Sequence, residues 1–133
     1  MTEQFKPQPK GSVKIYSIKG LERELIYDDH NSILANSVNV MAAMLAAQPL
    51  AILDTIQILY LGSVICTRPI VSTTLTAADT VQYQAIFEMT SFSGNYDKVK
   101  MLSSTFGDFS EFSVSLTKAT SEQIAIVWNI QIT

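Results

Sequence analysis

The stretch Gln123-Ile124-Ala125-Ile126-Val127-Trp128-Asn129-Ile130-Gln131-Ile132-Thr133 decides the class of fold. Ile124, Ile126, Trp128, Ile130 and Ile132 occupy every second position, and a period of two puts large apolar side chains on one face of a strand. Gln123, Ala125, Val127, Asn129 and Gln131 then face the other way, so one face belongs to a core and the other is expected largely in water. A strand this apolar invites aggregation if left as an open edge, so neighbours on both sides, or a partner subunit, are expected. The stretch itself carries no reactive group.

Working outward, Phe112, Val114 and Leu116 alternate with Glu111, Ser113, Ser115 and Thr117, and Thr120-Ser121-Glu122 turns the chain into the last strand. Val99 and Met101 alternate with Lys98 and Lys100 in a shorter strand after a Gly94-Asn95 turn, and 103–107 reads as a loop. The second strong strand is 80–92, with Val81, Tyr83, Ala85, Phe87 and Met89 on one face and Gln82, Gln84, Ile86, Glu88 and Thr90 on the other. Residues 63–78 hold Pro69, four threonines and two serines without an apolar period. They read mainly as loop, with a short edge strand near 70–75, and a connection this long marks a partner contact. Residues 54–62 have Ile56, Ile58 and Tyr60 on one face and Leu59 and Leu61 on the other, the pattern of a strand covered on both sides, between a helix and a sheet.

Only between 33 and 47 does the period change. Leu34, Val38, Met41 and Leu45 recur at four, three and four residues, and Gln48-Pro49 ends the run because the residue before proline is pushed out of the α region. Before it, Asp28-Asp29-His30-Asn31 reads as a polar break, and 12–18 and 21–27 as a hairpin turned at Lys19-Gly20. Residues 1–10, with Pro7 and Pro9, read as an extended arm. The expected architecture is mostly β: an antiparallel, jelly-roll-like β-sandwich of six to seven strands with one inserted α-helix at 33–47, forming one domain over 11–133. Trp128, Ile126, Ile130, Phe87, Tyr83, Ile58, Leu45 and Met41 are the expected core.

Composition narrows function more by exclusion than by sign. Nine Lys and Arg against twelve Asp and Glu leave a net charge of −3, which offers no basic patch for nucleic acid. With 16% of residues charged and 47% apolar, part of the apolar surface is expected to meet another protein, including further copies of the chain in a homo-oligomer. The apolar window 38–60 is interrupted by Gln48-Pro49 and Asp54, so no membrane span is expected. Residues 1–10 lack an apolar signal region, and the single Cys66 has no internal partner, which suits assembly in a reducing cytosol.

Catalytic constellations are sparse. His30 is the only histidine, which leaves no second one for a triad or a His-rich metal site. Asp28-Asp29-His30-Asn31 lacks the calcium-loop spacing, and consecutive side chains point apart. Glu88 and Glu111 sit on presumed solvent faces of separate strands, and Tyr83, Phe87 and Trp128 fall in phase with strand cores rather than forming a stacking platform. No catalytic, cofactor or metal role is assigned to any residue.

Three segments carry a resemblance: Lys10-Gly11-Ser12-Val13-Lys14-Ile15-Tyr16, the run from Asp29-His30-Asn31-Ser32-Ile33 to Ser37, and the close Glu122-Gln123-Ile124-Ala125-Ile126-Val127-Trp128-Asn129-Ile130. With Tyr60-Leu61-Gly62 in the central strand, the chain resembles small virion structural proteins of tailed bacteriophages. The resemblance implies a non-enzymatic virion component, foremost a capsid decoration or cement protein bound to the major capsid protein. A tail, baseplate or fibre-attachment part and a host-surface carbohydrate-binding module are the alternatives. The expected contact residues lie in the arm (Phe5, Pro7, Pro9) and in the long connection (Arg68, Pro69).

Overall fold

Strand β9 (Gln123–Ile132) runs antiparallel between β1 (Pro9–Lys19) and β6 (Thr80–Phe87), so the most apolar strand of the chain has a ladder on each side, as its sequence requires. The computed structural model describes residues 9–33, 53–78 and 80–132. The remaining strands are β2 (Glu22–Ile33), β3 (Thr55–Tyr60), β4 (Ser63–Pro69), β5 (Ser72–Ala77), β7 (Gly94–Ser103) and β8 (Gly107–Lys118). All pairings are antiparallel, in the order β4-β3-β7-β8-β2-β1-β9-β6-β5.

Two sheets arise because β2 is long enough to serve both. Residues 22–31, apart from a bulge at Ile26, pair with β1, and only Ser32 and Ile33 pair with β8. The first sheet is therefore β2-β1-β9-β6-β5 and the second is β4-β3-β7-β8 with the end of β2. Their inner faces share one sandwich-like core containing Val13, Ile15, Ile56, Ile58, Phe87, Val99, Met101, Phe112, Ile126 and Trp128. Aromatic rings cross between the sheets. Tyr27 stacks on Phe112 at 5.3 Å, and Phe92 meets both Phe87 and Tyr96 edge to face at 6.0 and 5.7 Å.

The expected core residues Trp128, Ile126, Ile130, Phe87, Tyr83 and Ile58 are buried. Leu45, Met41 and the helix expected at 33–47 fall almost wholly outside the described residues, and Ile33 itself ends β2. No helix occurs among the described residues.

Several expectations are corrected. There are nine strands among the described residues, not six to seven, because the stretch at 63–78, expected mainly as loop, supplies β4 as well as β5, which takes the place of the short edge strand expected near 70–75. These end the strand order and leave most side chains in water, so no apolar alternation marks them. Asp28-Asp29-His30-Asn31 is no break: the backbone continues β2, with Asp28 across from Lys14 and Asp29 across from Val13. Pro9 and Lys10 belong to β1, opposite Ile132 and Gln131, rather than to a free arm. Strand β6 stops at Phe87 because the chain turns at Glu88–Ser91, where the Ser91 N–H and hydroxyl both donate to the Glu88 carbonyl at 3.0 and 2.7 Å. Met89 is thereby turned out to solvent. Gly94 opens β7 rather than making a turn with Asn95.

The second face of β9 is not largely in water. Ala125 and Val127 are each 6% exposed. Each small side chain sits between taller ones on the flanking strands, Ala125 between Tyr16 and Ile86, and Val127 between Lys14 and Gln84.

Candidate interaction surface

The β3–β4 hairpin closes through Leu61-Gly62, whose φ angles are +50° and +83°. A two-residue turn with positive φ at both centres matches the twist of a hairpin, and glycine or asparagine normally fills those places. Leucine there strains its backbone, because Cβ crowds the following carbonyl in the left-handed region. The turn is held by the Leu61 N–H, which donates to Asp97 Oδ2 at 3.1 Å, and Leu61 displays its side chain 76% exposed. Tyr60, Val64 and Ile65 are exposed beside it. Ile58 pairs with Cys66 and Leu59 with Val64, so Ile65 is an extra residue in β4 with no partner across the ladder. The bulge turns Ile65 outward and leaves both Ile58 and Leu59 buried.

The far end of β4 leads from the second sheet to the first. Arg68 Nε and Nη2 reach Glu88 Oε1 at 2.8 and 2.7 Å, and Nη1 donates to the Thr67 carbonyl at 2.8 Å. The hydrogen bond from Arg68 holds the Glu88 carboxyl below its usual range, and the same bond raises Arg68. Ile70 N–H donates to the Asp54 carbonyl and Val71 N–H to the Gln84 carbonyl, both at 2.8 Å, fixing the crossing. The Asp54 side chain is pinned in turn, accepting from Ser104 N–H at 2.9 Å, Ser104 Oγ at 2.5 Å and Thr55 Oγ1 at 2.9 Å.

Of the expected contact residues, Pro69 is exposed at the end of β4 and Arg68 is half-buried and engaged by Glu88. Pro9 lies in β1, and Phe5 and Pro7 fall outside the described residues. Glu88 and Glu111 are not brought together, since Glu111 pairs with Lys98 at 3.7 Å on the other sheet. Tyr83, Phe87 and Trp128 are buried and present no stacking platform. Among the described residues no group of three or more His, Cys, Asp or Glu side chains could hold a metal ion, and no helix is long and apolar enough to cross a membrane.

A buried polar node lies where the β8–β9 turn meets β1. The Ser17 hydroxyl donates to Glu122 Oε2, and the Ala119 N–H donates to Glu122 Oε1 at 2.7 Å. Lys118, only 1% exposed, donates from Nζ to the carbonyls of Met89, Phe92 and Ala119 at 2.9, 2.8 and 3.1 Å. Burial pulls the Lys118 amine below its ordinary pKa, and the Glu122 charge opposes that shift. With its protons directed at three carbonyls and its carboxylate occupied by two donors, the node ties turns together and leaves neither group turned toward a substrate. Ser17, Lys118 and Glu122 were not singled out from sequence, although each falls in phase with a core face: Ser17 with Val13 and Ile15, Lys118 with Phe112 and Val114, Glu122 with Ile124 and Ile126. In the sequence the turn leucine continues the alternation of its strand, and Gly62 after it is the signal for a hairpin.

No protein-family model, no curated protein and no solved structure matches this chain.

Proposed function

We propose that this chain is a non-enzymatic structural protein of a tailed-bacteriophage virion, a decoration or cement protein that binds the major capsid protein of an assembled shell. The observation that carries the reading is the hairpin tip: Leu61 is exposed on a turn whose backbone is strained at leucine, and Tyr60, Val64 and Ile65 are exposed on the strands that flank it. Apolar residues grouped this way mark a protein-binding surface, and strain persists where the surrounding structure enforces it. The buried polar node supports the same reading, because Ser17 and Glu122 bond each other and Lys118 is spent on backbone carbonyls. Pro69 at the end of β4, and Phe5, Pro7 and Pro9 of the first ten residues, extend the contact, with Arg68 fixing the course of β4 through Glu88. A jelly-roll-like sandwich belongs to the same proposal, since two facing sheets form a plate that can lie on a shell.

Purified protein added to capsids lacking it should bind at hundreds of copies per particle. A dozen copies or fewer would assign it to the tail or baseplate, and binding to host polysaccharide in place of capsids would make it a carbohydrate reader.

A further inference from the structure

The two strands at the ends of the order differ in how they meet solvent. Strand β4 is blunted by the bulge at Ile65 and by Arg68 and Pro69 at its end, devices that keep an open edge from pairing. Strand β5, Ser72-Thr73-Thr74-Leu75-Thr76-Ala77, has none of these over its first four residues. It contains no charge and no proline, neither do Val71 and Ala78 beside it, and its one irregularity lies at Thr76, between the Leu75–Val81 and Ala77–Thr80 pairs. Among the described residues its outer row of backbone groups meets no further strand. A second observation concerns its face. Pairing with Tyr83 and Val81 puts Thr73 and Leu75 on the side that faces the core, yet Leu75 is 67% exposed. Leu75 therefore leaves apolar surface in solvent on the face that elsewhere meets the core.

We propose that the β5 edge is a homodimer interface, in which β5 pairs antiparallel with β5 of a second copy about a two-fold axis at Thr74. A two-fold contact brings one patch against itself, so it tolerates no net charge along the edge, and β5 has none. With the axis at Thr74, Leu75 lies opposite the partner subunit's Thr73 on the same face of a continuous sheet, and each exposed Leu75 gains a neighbour. The contact is short, well under the roughly 800 Å² per partner of a standard interface, so the dimer is weak and depends on concentration. The proposal does not rest on the virion reading.

Sedimentation of the full chain should give a mass rising from the 14.7 kDa monomer toward twice that value as concentration approaches the millimolar range. Thr74→Lys, an exposed substitution, should keep the melting temperature and weaken association about tenfold or more by placing like charges across the axis. Thr74→Cys should cross-link to a disulfide dimer under mild oxidation, while Thr67→Cys on the blunted β4 edge should not. A protein monomeric throughout, a Thr74→Lys variant that associates like the parent, or Thr67→Cys cross-linking as fast as Thr74→Cys would each overturn the proposal.

Discussion

The ring of Phe112 on β8 meets the indole of Trp128 on β9 edge to face, with centroids 5.0 Å apart and planes at 71°. One residue belongs to each sheet, so the contact is one of those that pin the second sheet to the first. Both side chains are buried, and Tyr27 also stacks on Phe112. Phe112→Ala should cost about 3–5 kcal/mol, the loss of transfer energy plus the cavity left between the sheets. Urea unfolding of the parent and variant measures it, and an unchanged midpoint would mean that the sheets are held elsewhere.

A smaller effect of opposite sign is expected at Tyr96. Its hydroxyl is buried and finds no hydrogen-bond partner among the described residues. Burial, and after it the Glu122 charge, push its ionisation far above the ordinary value. Tyr96→Phe removes an unsatisfied group without changing ring packing and should stabilise by about 1 kcal/mol at neutral pH. The sign with pH follows from the raised folded pKa. Below about pH 10 the unfolded tyrosine is also neutral and the contribution is constant; above it the unfolded chain ionises while the folded one does not, and stability falls as pH rises. The variant should show a shallower alkaline loss than the parent.

Much of the core was legible because alternation reports a residue's face without knowing its partner strand. Val13, Ile15, Phe87, Ile126 and Trp128 needed no tertiary information. The same rule would have found Ser17, Lys118 and Glu122, had polar residues in phase with a core been read as buried and satisfied. Strand β5 was legible only as a short edge strand near 70–75 and β4 not at all, since an edge strand is recognised by a backbone ladder on one side and need not bury alternate side chains. Nor could the sequence show that Ala125 and Val127 are shielded, because the side chains beside them come from β1 and β6, about 110 and 40 residues away along the chain. In the connection at 63–78 Arg68 is occupied by Glu88, and exposed apolar side chains concentrate at its start and at Tyr60 and Leu61 just before it.

Acid should loosen the tie between the start of β3 and the β7–β8 turn through Asp54. Burial works against its ionisation, but the hydrogen bonds from Ser104 and Thr55 outweigh it and hold the carboxyl below its ordinary pKa. A depressed folded pKa means that the stabilisation is present above the unfolded value of about 4 and is lost as pH falls through the folded one. Asp54→Asn should therefore be less stable than the parent at pH 7, with the gap closing as pH drops below about 4. A gap independent of pH would show that the carboxylate charge is not what Ser104 and Thr55 recognise.

The turn at Leu61 separates stability from binding. Its positive φ costs leucine about 1 kcal/mol relative to a residue that tolerates the left-handed region, and the N–H that donates to Asp97 is a backbone group that any substitute other than proline keeps. Leu61→Asn should therefore raise stability by about 1 kcal/mol, seen as a higher urea midpoint. The same change deletes the most exposed apolar side chain of the hairpin tip. If that tip docks on the shell, capsid binding should fall about tenfold or more, since burying a leucine contributes about 1.5–3 kcal/mol. A variant that is more stable and binds capsids as the parent does would remove the tip from the interface, and one that is less stable would refute strain at the turn.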